Sequence, residues 1–271
     1  MNYDKIVSLV YETRNTIFSV SLNPHEKNKN PYDFVTSADI GISEFLNKKL
    51  NELYPDIGFM TEEESEHTLS EKCFLLDPID GTTNLIYDYK MSSVSLAYVE
   101  KGEVVFGVVF NPFTDEMFFA IKGKGAYLYK TDKGIEDLLK TGVNNYDKNI
   151  LHVSNRDLKH SLIEFGAGSS HKSESKETFE RARRVFENCL DLRRICSTAI
   201  VLCYISCGRL DGYFEKVIKP WDYAAGILIL SESGGKSSDW KGNRLPLDKS
   251  GTIVCANAQI FDELRNIVNG D

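Results

Sequence analysis

The chain lacks a run of ~20 apolar residues, the length a membrane-spanning helix needs, so no transmembrane segment is expected in its 271 residues. Its N-terminal stretch does not read as a signal peptide, because Asp4, Lys5, Glu12, Arg14 and Asn15 interrupt any apolar region. Cysteine occurs six times (Cys73, Cys189, Cys196, Cys203, Cys207 and Cys255) but never as Cys-x-x-Cys, the spacing of zinc and redox sites. Cys203 and Cys207 stand four apart in an apolar run and suit a buried helix face, so reduced thiols in a cytoplasmic protein are expected. Histidine is scarce and scattered (His25, His67, His152, His160, His171), without metal-ligand spacing, and reads as surface or structural. Positive charge is also short: 32 Lys and Arg stand against 40 Asp and Glu, a net charge of −8. Nucleic-acid backbones select basic faces, so a nucleic-acid partner is not expected. A small anionic substrate stays open, because bound cations reverse the local sign of a site.

What is present is an ordinary globular composition, 42% hydrophobic and 27% charged. A chain of this length buries roughly three quarters of its unfolded surface, enough for a large core without staples. There is no internal repeat and no low-complexity linker. Ile6, Leu9, Val10, Ile17 and Phe18 mark a helix within 3–22. Thr36 and Ser37 offer N-cap oxygens to a second helix carrying Ile42, Phe45, Leu46, Leu50 and Leu53, stopped by Pro55. A short strand, 57–60, precedes Glu62-Glu63-Glu64, and a fully apolar run, 73–76, ends at Asp77-Pro78 as a buried strand would. Strands at 94–99, 104–110, 117–121 and 126–129 form an antiparallel meander with turns at Lys101-Gly102, 111–114 and 123–125. The polar stretch 131–149 is the best internal boundary, giving approximate halves 1–145 and 146–271 of one unit. Beyond it strands at 151–153, 162–165, 192–196, 213–214 and 253–255 alternate with helices at 177–190, 199–207, 223–233 and 260–268. An α+β half followed by an α/β half predicts layers of helices and sheets around one continuous core.

The most informative stretch is Asp77-Pro78-Ile79-Asp80-Gly81-Thr82-Thr83-Asn84. It begins where a buried strand ends. Pro78 holds Asp77 extended, and Asp77 and Asp80 can converge across a turn. Gly81 permits close approach of backbone. A helix or turn starting at Thr82 aims N–H groups outward, an anion cradle. Two carboxylates beside an anion cradle fit together when cations lie between them, and Mg²⁺ binds through one or two carboxylates plus substrate phosphate. The same residues also make an ordinary surface Asx-turn. Glu62-Glu63-Glu64 reads equally as a solvated acidic loop, and Asp222 equally as the N-cap of the helix that follows it.

Taken together these residues resemble the inositol monophosphatase family of magnesium-dependent, lithium-sensitive phosphatases, over nearly the whole chain and in order. Asp33-Phe34-Val35-Thr36-Ser37-Ala38-Asp39 resembles the early family block, Phe59-Met60-Thr61-Glu62-Glu63 the Ile-Gly-Glu-Glu block, and Asp77 to Asn84 the central signature. Glu164-Phe165-Gly166 with Ser169-Ser170 resembles a substrate-side strand, Ser197-Thr198-Ala199 a Gly-Thr-Ala segment, and Trp221 to Gly226 the C-terminal signature. The resemblance implies a layered αβαβα sandwich of the sugar-phosphatase type and a phosphoric monoester hydrolase using two or three Mg²⁺. It implies that Glu62, Asp77 and the Ile79 carbonyl hold one ion, that Asp77, Asp80 and Asp222 hold a second, and that Glu62 serves a third. It implies that Gly81 and Thr82 hold phosphate, and that Thr82 and Asp39 orient and deprotonate the attacking water. Glu215 is implied as the acceptor of substrate hydroxyls, with Ser197, Thr198 and Ala199 lining the pocket beside Asp80 and Asp222. A homodimer is implied too, with the meander or its flanking loops as interface.

The chemistry is coherent without the family. A phosphate dianion repels nucleophiles, and divalent cations offset that repulsion, so the absence of a Ser-His-Asp or Cys nucleophile is expected for phosphoryl transfer by positioning. Departures from the family are Thr61 and Ser197, each in place of Gly, and the extra acid Glu64; Lys27 and Lys29 are two candidates for a family lysine. These departures bear on the sugar pocket; on the two signatures and Glu215, the preferred substrate is myo-inositol monophosphate or a related polyol monophosphate. The alternatives are the same fold acting on fructose 1,6-bisphosphate, 3′-phosphoadenosine 5′-phosphate or histidinol phosphate, and a non-catalytic regulator that binds metal or phosphate ligands.

Overall fold

The computed structural model describes residues 1–26, 30–63, 68–130, 137, 138, 140, 142 and 149–270. Helix α1 (Tyr3–Ser19) buries Ile6, Leu9, Val10 and Ile17, and Asn2 caps it by accepting the Lys5 N–H. Helix α2 (Ser37–Leu53) starts in a capping box: the Thr36 hydroxyl oxygen accepts the Ala38 N–H, while Asp39 accepts the Thr36 N–H at 2.7 Å. The two helices cover one face of a six-stranded sheet. Its strands are β3 (Gly58–Thr61), β4 (Lys72–Asp80), β5 (Ser93–Glu100), β6 (Glu103–Asn111), β7 (Glu116–Ile121) and β8 (Ala126–Lys130), ordered as numbered. Only the β3–β4 pair is parallel. The β5–β6 hairpin turns on Lys101 and Gly102, with φ of 52° and 73°, the paired left-handed residues that a tight hairpin turn requires. A small hairpin-like pair, β1 (His25–Glu26) and β2 (Phe34–Val35), precedes α2, and the short helix α3 (Thr82–Ile86) follows β4.

A second sheet has the order β10-β9-β11-β13-β12, from β9 (Leu162–Phe165), β10 (Asp191–Arg193), β11 (Gly212–Ile218), β12 (Lys236–Ser238) and β13 (Gly251–Ala256). Helices α5 (Thr198–Ser206) and α6 (Pro220–Glu232) lie between the two sheets and are apolar on nearly every side, as a helix buried on both faces must be. Ala199, Leu202, Ala225 and Ile229 share one core with Leu75, Val109 and Phe118 of the first sheet and Tyr213, Ile253 and Cys255 of the second. Helices α4 (Ser175–Phe186) and α7 (Phe261–Asn269) close the outer face through Ala182, Val185, Leu264 and Val268 against Ile163, Phe214 and Val254. The layers therefore run αβαβα, as expected.

Several local expectations change. Strand β4 does not end at Asp77 but runs through Pro78 to Asp80. Its pairing with β5 slips there: Asp77 faces Ser95, and Asp80 faces Ser93. Pro78 has no N–H to give the ladder, and the slip inserts one extra residue, a bulge. The segment 151–153 is no strand. Leu151 donates its N–H to Ala126 and Val153 to Ser233, so the segment passes between partners, with a single bridge from Ile150 to Tyr127. Strand β10 stops at Arg193, short of 196, because the Ile195 and Cys196 N–H groups turn to the Glu164 carboxylate. The strand expected at 213–214 extends over Gly212–Ile218. The polar boundary 131–149 lies mostly outside the described residues.

Helix α6 crosses the first sheet at its closest point over Gly107, where a Cβ would sit 2.8 Å from the Ala225 carbonyl oxygen. Gly107→Ala is expected to destabilise the fold by ~1–3 kcal/mol through overpacking. The measurement is urea unfolding, and an unchanged midpoint would show that the two layers separate freely.

Candidate active site

The bulge in β4 decides the geometry. In a regular strand, residues three apart face opposite sides. Here the partners of Asp77 and Asp80 are Ser95 and Ser93, two residues apart on β5, so the extra residue brings both carboxylates to one side. Asp77 also accepts the Ile79 N–H at 3.1 Å, so the Asx-turn reading holds at the same time. Glu62 follows β3 directly, its N–H donating to the Leu76 carbonyl on β4. Asp222 lies in the first turn of α6 and accepts the Lys219 N–H at 3.0 Å; it caps the helix from the third position, with Lys219 as N-cap residue. Carboxylate oxygens of Glu62, Asp77 and Asp222 all lie within 4.8 Å of one another.

Asp80 serves a second purpose. Its Oδ2 accepts the Ser197 hydroxyl at 2.6 Å and the Ala199 N–H at 2.7 Å, and its Oδ1 accepts the Thr198 N–H at 3.1 Å. It thereby caps α5 from a distant part of the chain. Ser197, where a Gly was expected, contributes its side chain to this bonding. Thr61, the other such departure, accepts a hydrogen bond from Ser43 of α2 at 3.3 Å.

Behind the carboxylates, the Thr82 hydroxyl stands 3.2 Å from Asp39 Oδ1 and 3.0 Å from the Ile79 carbonyl, two acceptors for one proton. Asp39 is buried at the start of α2, and its Oδ2 is held by the Thr36 N–H and hydroxyl. Gly81 has φ 88°, and a Cβ there would sit 2.8 Å from the Met91 carbonyl oxygen, so the turn into α3 requires glycine.

Burial dominates the electrostatics. It raises Asp77 well above the ordinary carboxylate range, helped by the charges of Glu62, Asp80 and Asp222. Asp222 is raised in the same way, with the Lys219 N–H and ammonium pulling back. Asp80 is pushed up to about 6 against its three donors, and Asp39 to about 7 against Thr36. Such a cluster needs protons or cations. The donor set, the converging carboxylates of Glu62, Asp77 and Asp222 in a cleft that Ile79 also lines, is the hard-oxygen set that suits Mg²⁺. One protein cation is already at the site: Lys219 Nζ lies 3.2 Å from Glu62 Oε1.

Glu62, Asp77, Ile79, Asp80, Gly81, Thr82, Ser197, Thr198, Glu215 and Asp222 all line one open cleft of about 450 Å³. Ala199, expected to line the pocket, is not among the residues lining the cleft; its N–H donates to Asp80, and Asp39 stands behind Thr82. Lys27, Lys29 and Glu64 lie outside the described residues. Sequence reasoning missed Lys219 and the Tyr213 hydroxyl that donates to Glu215. The signal for Lys219 was its place three residues before Asp222, ahead of a helix-starting proline.

Comparison with known proteins gives a consistent picture. The model of the inositol monophosphatase family matches residues 5–269. A protein named Nus factor SuhB from Pasteurella multocida is 35% identical over 241 residues, covering 88% of this chain and 83% of that protein. An inositol-1-monophosphatase from Rhizobium meliloti is 32% identical over 244 residues, covering 89% and 84%. Among solved structures, an IMPase from Thermotoga maritima superposes with TM-score 0.82 at 27% identity, covering 99% of this chain and 96% of that one.

Lys219→Met removes an ammonium that offsets the acidic cluster. The side chain is over a third exposed, so screening limits its contribution to about 1 kcal/mol. In EDTA the variant should melt ~2–4 °C below wild type, and Mg²⁺ should stabilise it more than wild type. Identical melting and identical Mg²⁺ response would show that the lysine does not balance the site.

Proposed function

Because the chain belongs to the inositol monophosphatase family, whose members are phosphatases acting on phosphate monoesters, we propose that it hydrolyses a polyol monophosphate, with myo-inositol monophosphate preferred, using two or three Mg²⁺. The observation that carries the reading is the meeting of Glu62, Asp77 and Asp222 within 4.8 Å, beside the Asp39–Thr82 contact. Glu62, Asp77, Asp80, Asp222 and the Ile79 carbonyl would hold the ions, which when bound neutralise phosphate charge and acidify a nearby water.

The chain's own residues do the rest. Thr82 gives its hydroxyl proton to Asp39 and accepts one from the attacking water, so the pair acts as a relay for a general base. Burial pushes Asp39 up to about 7, a basicity matched to work near neutrality. The Gly81 and Thr82 N–H groups, at the start of α3, hold phosphate oxygens in line for attack. Ser197, Thr198 and Glu215 border the alcohol part of the substrate.

Some relatives carry the name Nus factor SuhB. The Asp39–Thr82 pair favours catalysis here over a purely ligand-binding regulator, because holding a ligand needs no proton relay. A homodimer inhibited by lithium and working as one phosphatase unit in the cytoplasm completes the proposal. In support of that compartment, no disulfide joins any of the six cysteines, all of which lie among the described residues. Among the described residues no helix is long and apolar enough to cross a membrane.

The test is phosphate release from inositol 1-phosphate, with and without Mg²⁺, for wild type and Asp80→Asn. Release should require Mg²⁺ and fall at least ~10²-fold in the variant, the scale of losing one electrostatic contact to the transition state. A folded wild type that releases phosphate faster from 3′-phosphoadenosine 5′-phosphate or fructose 1,6-bisphosphate would overturn the substrate assignment.

A further inference from the structure

Glu164 has no part in the chemistry described so far, yet it is 1% exposed on β9 in the second sheet. Its Oε1 accepts the Ile195 N–H at 2.6 Å and, more weakly, the Cys196 N–H at 3.4 Å. Its Oε2 is buried and has no hydrogen-bond partner. Buried carboxylate oxygens are satisfied in nearly all proteins, and one left over calls for a reason. The side chain lines the same cleft as the metal-binding carboxylates.

The strand register shows what else faces it. Glu164 pairs with Tyr213 across the parallel β9–β11 ladder, so the two side chains share a face. Glu215, two residues along β11, shares it as well. The Tyr213 hydroxyl donates to Glu215 Oε2 and lies 3.0 Å from the Thr198 hydroxyl. Room for the pair comes from Gly166, where a Cβ would overlap the Glu215 carboxylate. Arg194 anchors the rim: its guanidinium donates to the Ala167 carbonyl at 2.7 Å, and its charge draws both carboxyls down while burial pushes each up to about 7.

We propose that Glu164 is a specificity-determining residue, which together with Glu215 forms a two-carboxylate reader for neighbouring hydroxyls on one face of the substrate's polyol ring. This rests on the polyol-phosphatase reading above and deepens it. With phosphate held at Gly81 and Thr82, the alcohol extends past Ser197 and Thr198 toward the second sheet, where both glutamates stand. A ring hydroxyl donates to Glu215, and its neighbour donates to Glu164 Oε2. An alcohol without such hydroxyls leaves that oxygen unpaired, and the site disfavours it. Ile195 and Cys196 hold the other oxygen, so the carboxylate is oriented before substrate arrives.

The experiment compares wild type with Glu164→Gln, on inositol 1-phosphate and on p-nitrophenyl phosphate, both with Mg²⁺. Gln keeps an acceptor for the Ile195 N–H and puts an amide NH₂ where the unpaired oxygen was. We expect kcat/KM for inositol 1-phosphate to fall ~10–100-fold, mainly through KM, the scale of a hydrogen bond to a charged group. The p-nitrophenyl phosphate rate should stay within about twofold. An equal fall on both substrates would assign Glu164 a structural role only, and an unchanged rate on inositol 1-phosphate would overturn the proposal outright. If Gln prevents folding, Glu164→Asp, which draws the carboxylate back by one methylene, must give the same selective loss. Calorimetric binding of inositol 1-phosphate separates this inference from the functional reading. A variant that binds as tightly as wild type overturns the role of Glu164 alone. A wild type that hydrolyses p-nitrophenyl phosphate yet neither binds nor hydrolyses inositol 1-phosphate overturns the polyol reading, and this inference with it.

Discussion

The carboxylate of Asp80 reaches across 117 residues of sequence to the N-terminus of α5, and the cleft is organised by that contact. A helix end leaves its first N–H groups without partners, and burying them uncapped is costly. Thr198 and Ala199 have only a short local turn before them, so Asp80 supplies the cap from the rim of the other sheet. Ser197 adds a hydroxyl to the same carboxylate. The contact fixes α5 against the end of β4 and thereby sets the distance between the acidic rim and the second sheet. Its three donors pull the Asp80 carboxyl down, in a place where burial raises it to about 6.

Charge then explains why so many unlike elements end at one point. Asp77 comes from the bulge of β4, Glu62 from the end of β3, and Asp222 from the first turn of α6. Helix N-termini carry partial positive charge, which favours acids in their first turns. That eases Asp222 but is too small to offset a buried cluster. Lys219 adds a full cation, partly exposed and therefore screened. The remaining imbalance is what a divalent cation with hard-oxygen preference would relieve. The acidic net charge of the chain and its anionic substrate are thus compatible, because the sign at the site is set locally.

How much of this was legible follows from the range of each signal. Helices α1 and α2 were readable because their apolar period and the Thr36 cap are local. The meander was readable because its turns are. Asp77 and Asp80 stood out as a motif, but their convergence depends on a register slip that strand periodicity contradicts. The strand expected at 192–196 is present but ends at Arg193 for a related reason: Ile195 and Cys196 spend their N–H groups on Glu164, more than 30 residues away. Spacing placed Lys219 three residues before Asp222, but its pairing with Glu62, 157 residues away, was not readable from local pattern. Local order was therefore visible, whereas contacts between distant segments were visible only through the family resemblance.

The two sheets divide the labour of the cleft. The acids that would hold metal come from β3, β4 and α6, and the Asp39–Thr82 pair that would relay a proton comes from α2 and α3, all at the first sheet's rim or beside it. The side chains that would face the alcohol come from β9 and β11 and from the turn into α5. On the proposed function, a substitution on the second sheet would change which alcohol fits without disturbing the phosphate chemistry. Ser197 is the exception, since it touches both: its hydroxyl binds Asp80 while its backbone borders the alcohol pocket. A change there would couple substrate fit to the orientation of a metal-side carboxylate, whereas Glu164 reaches Asp80 indirectly, through the Ile195–Cys196 turn and through Tyr213 and Thr198. On that proposal, selectivity would be more freely adjustable on β9 than at the turn that caps α5.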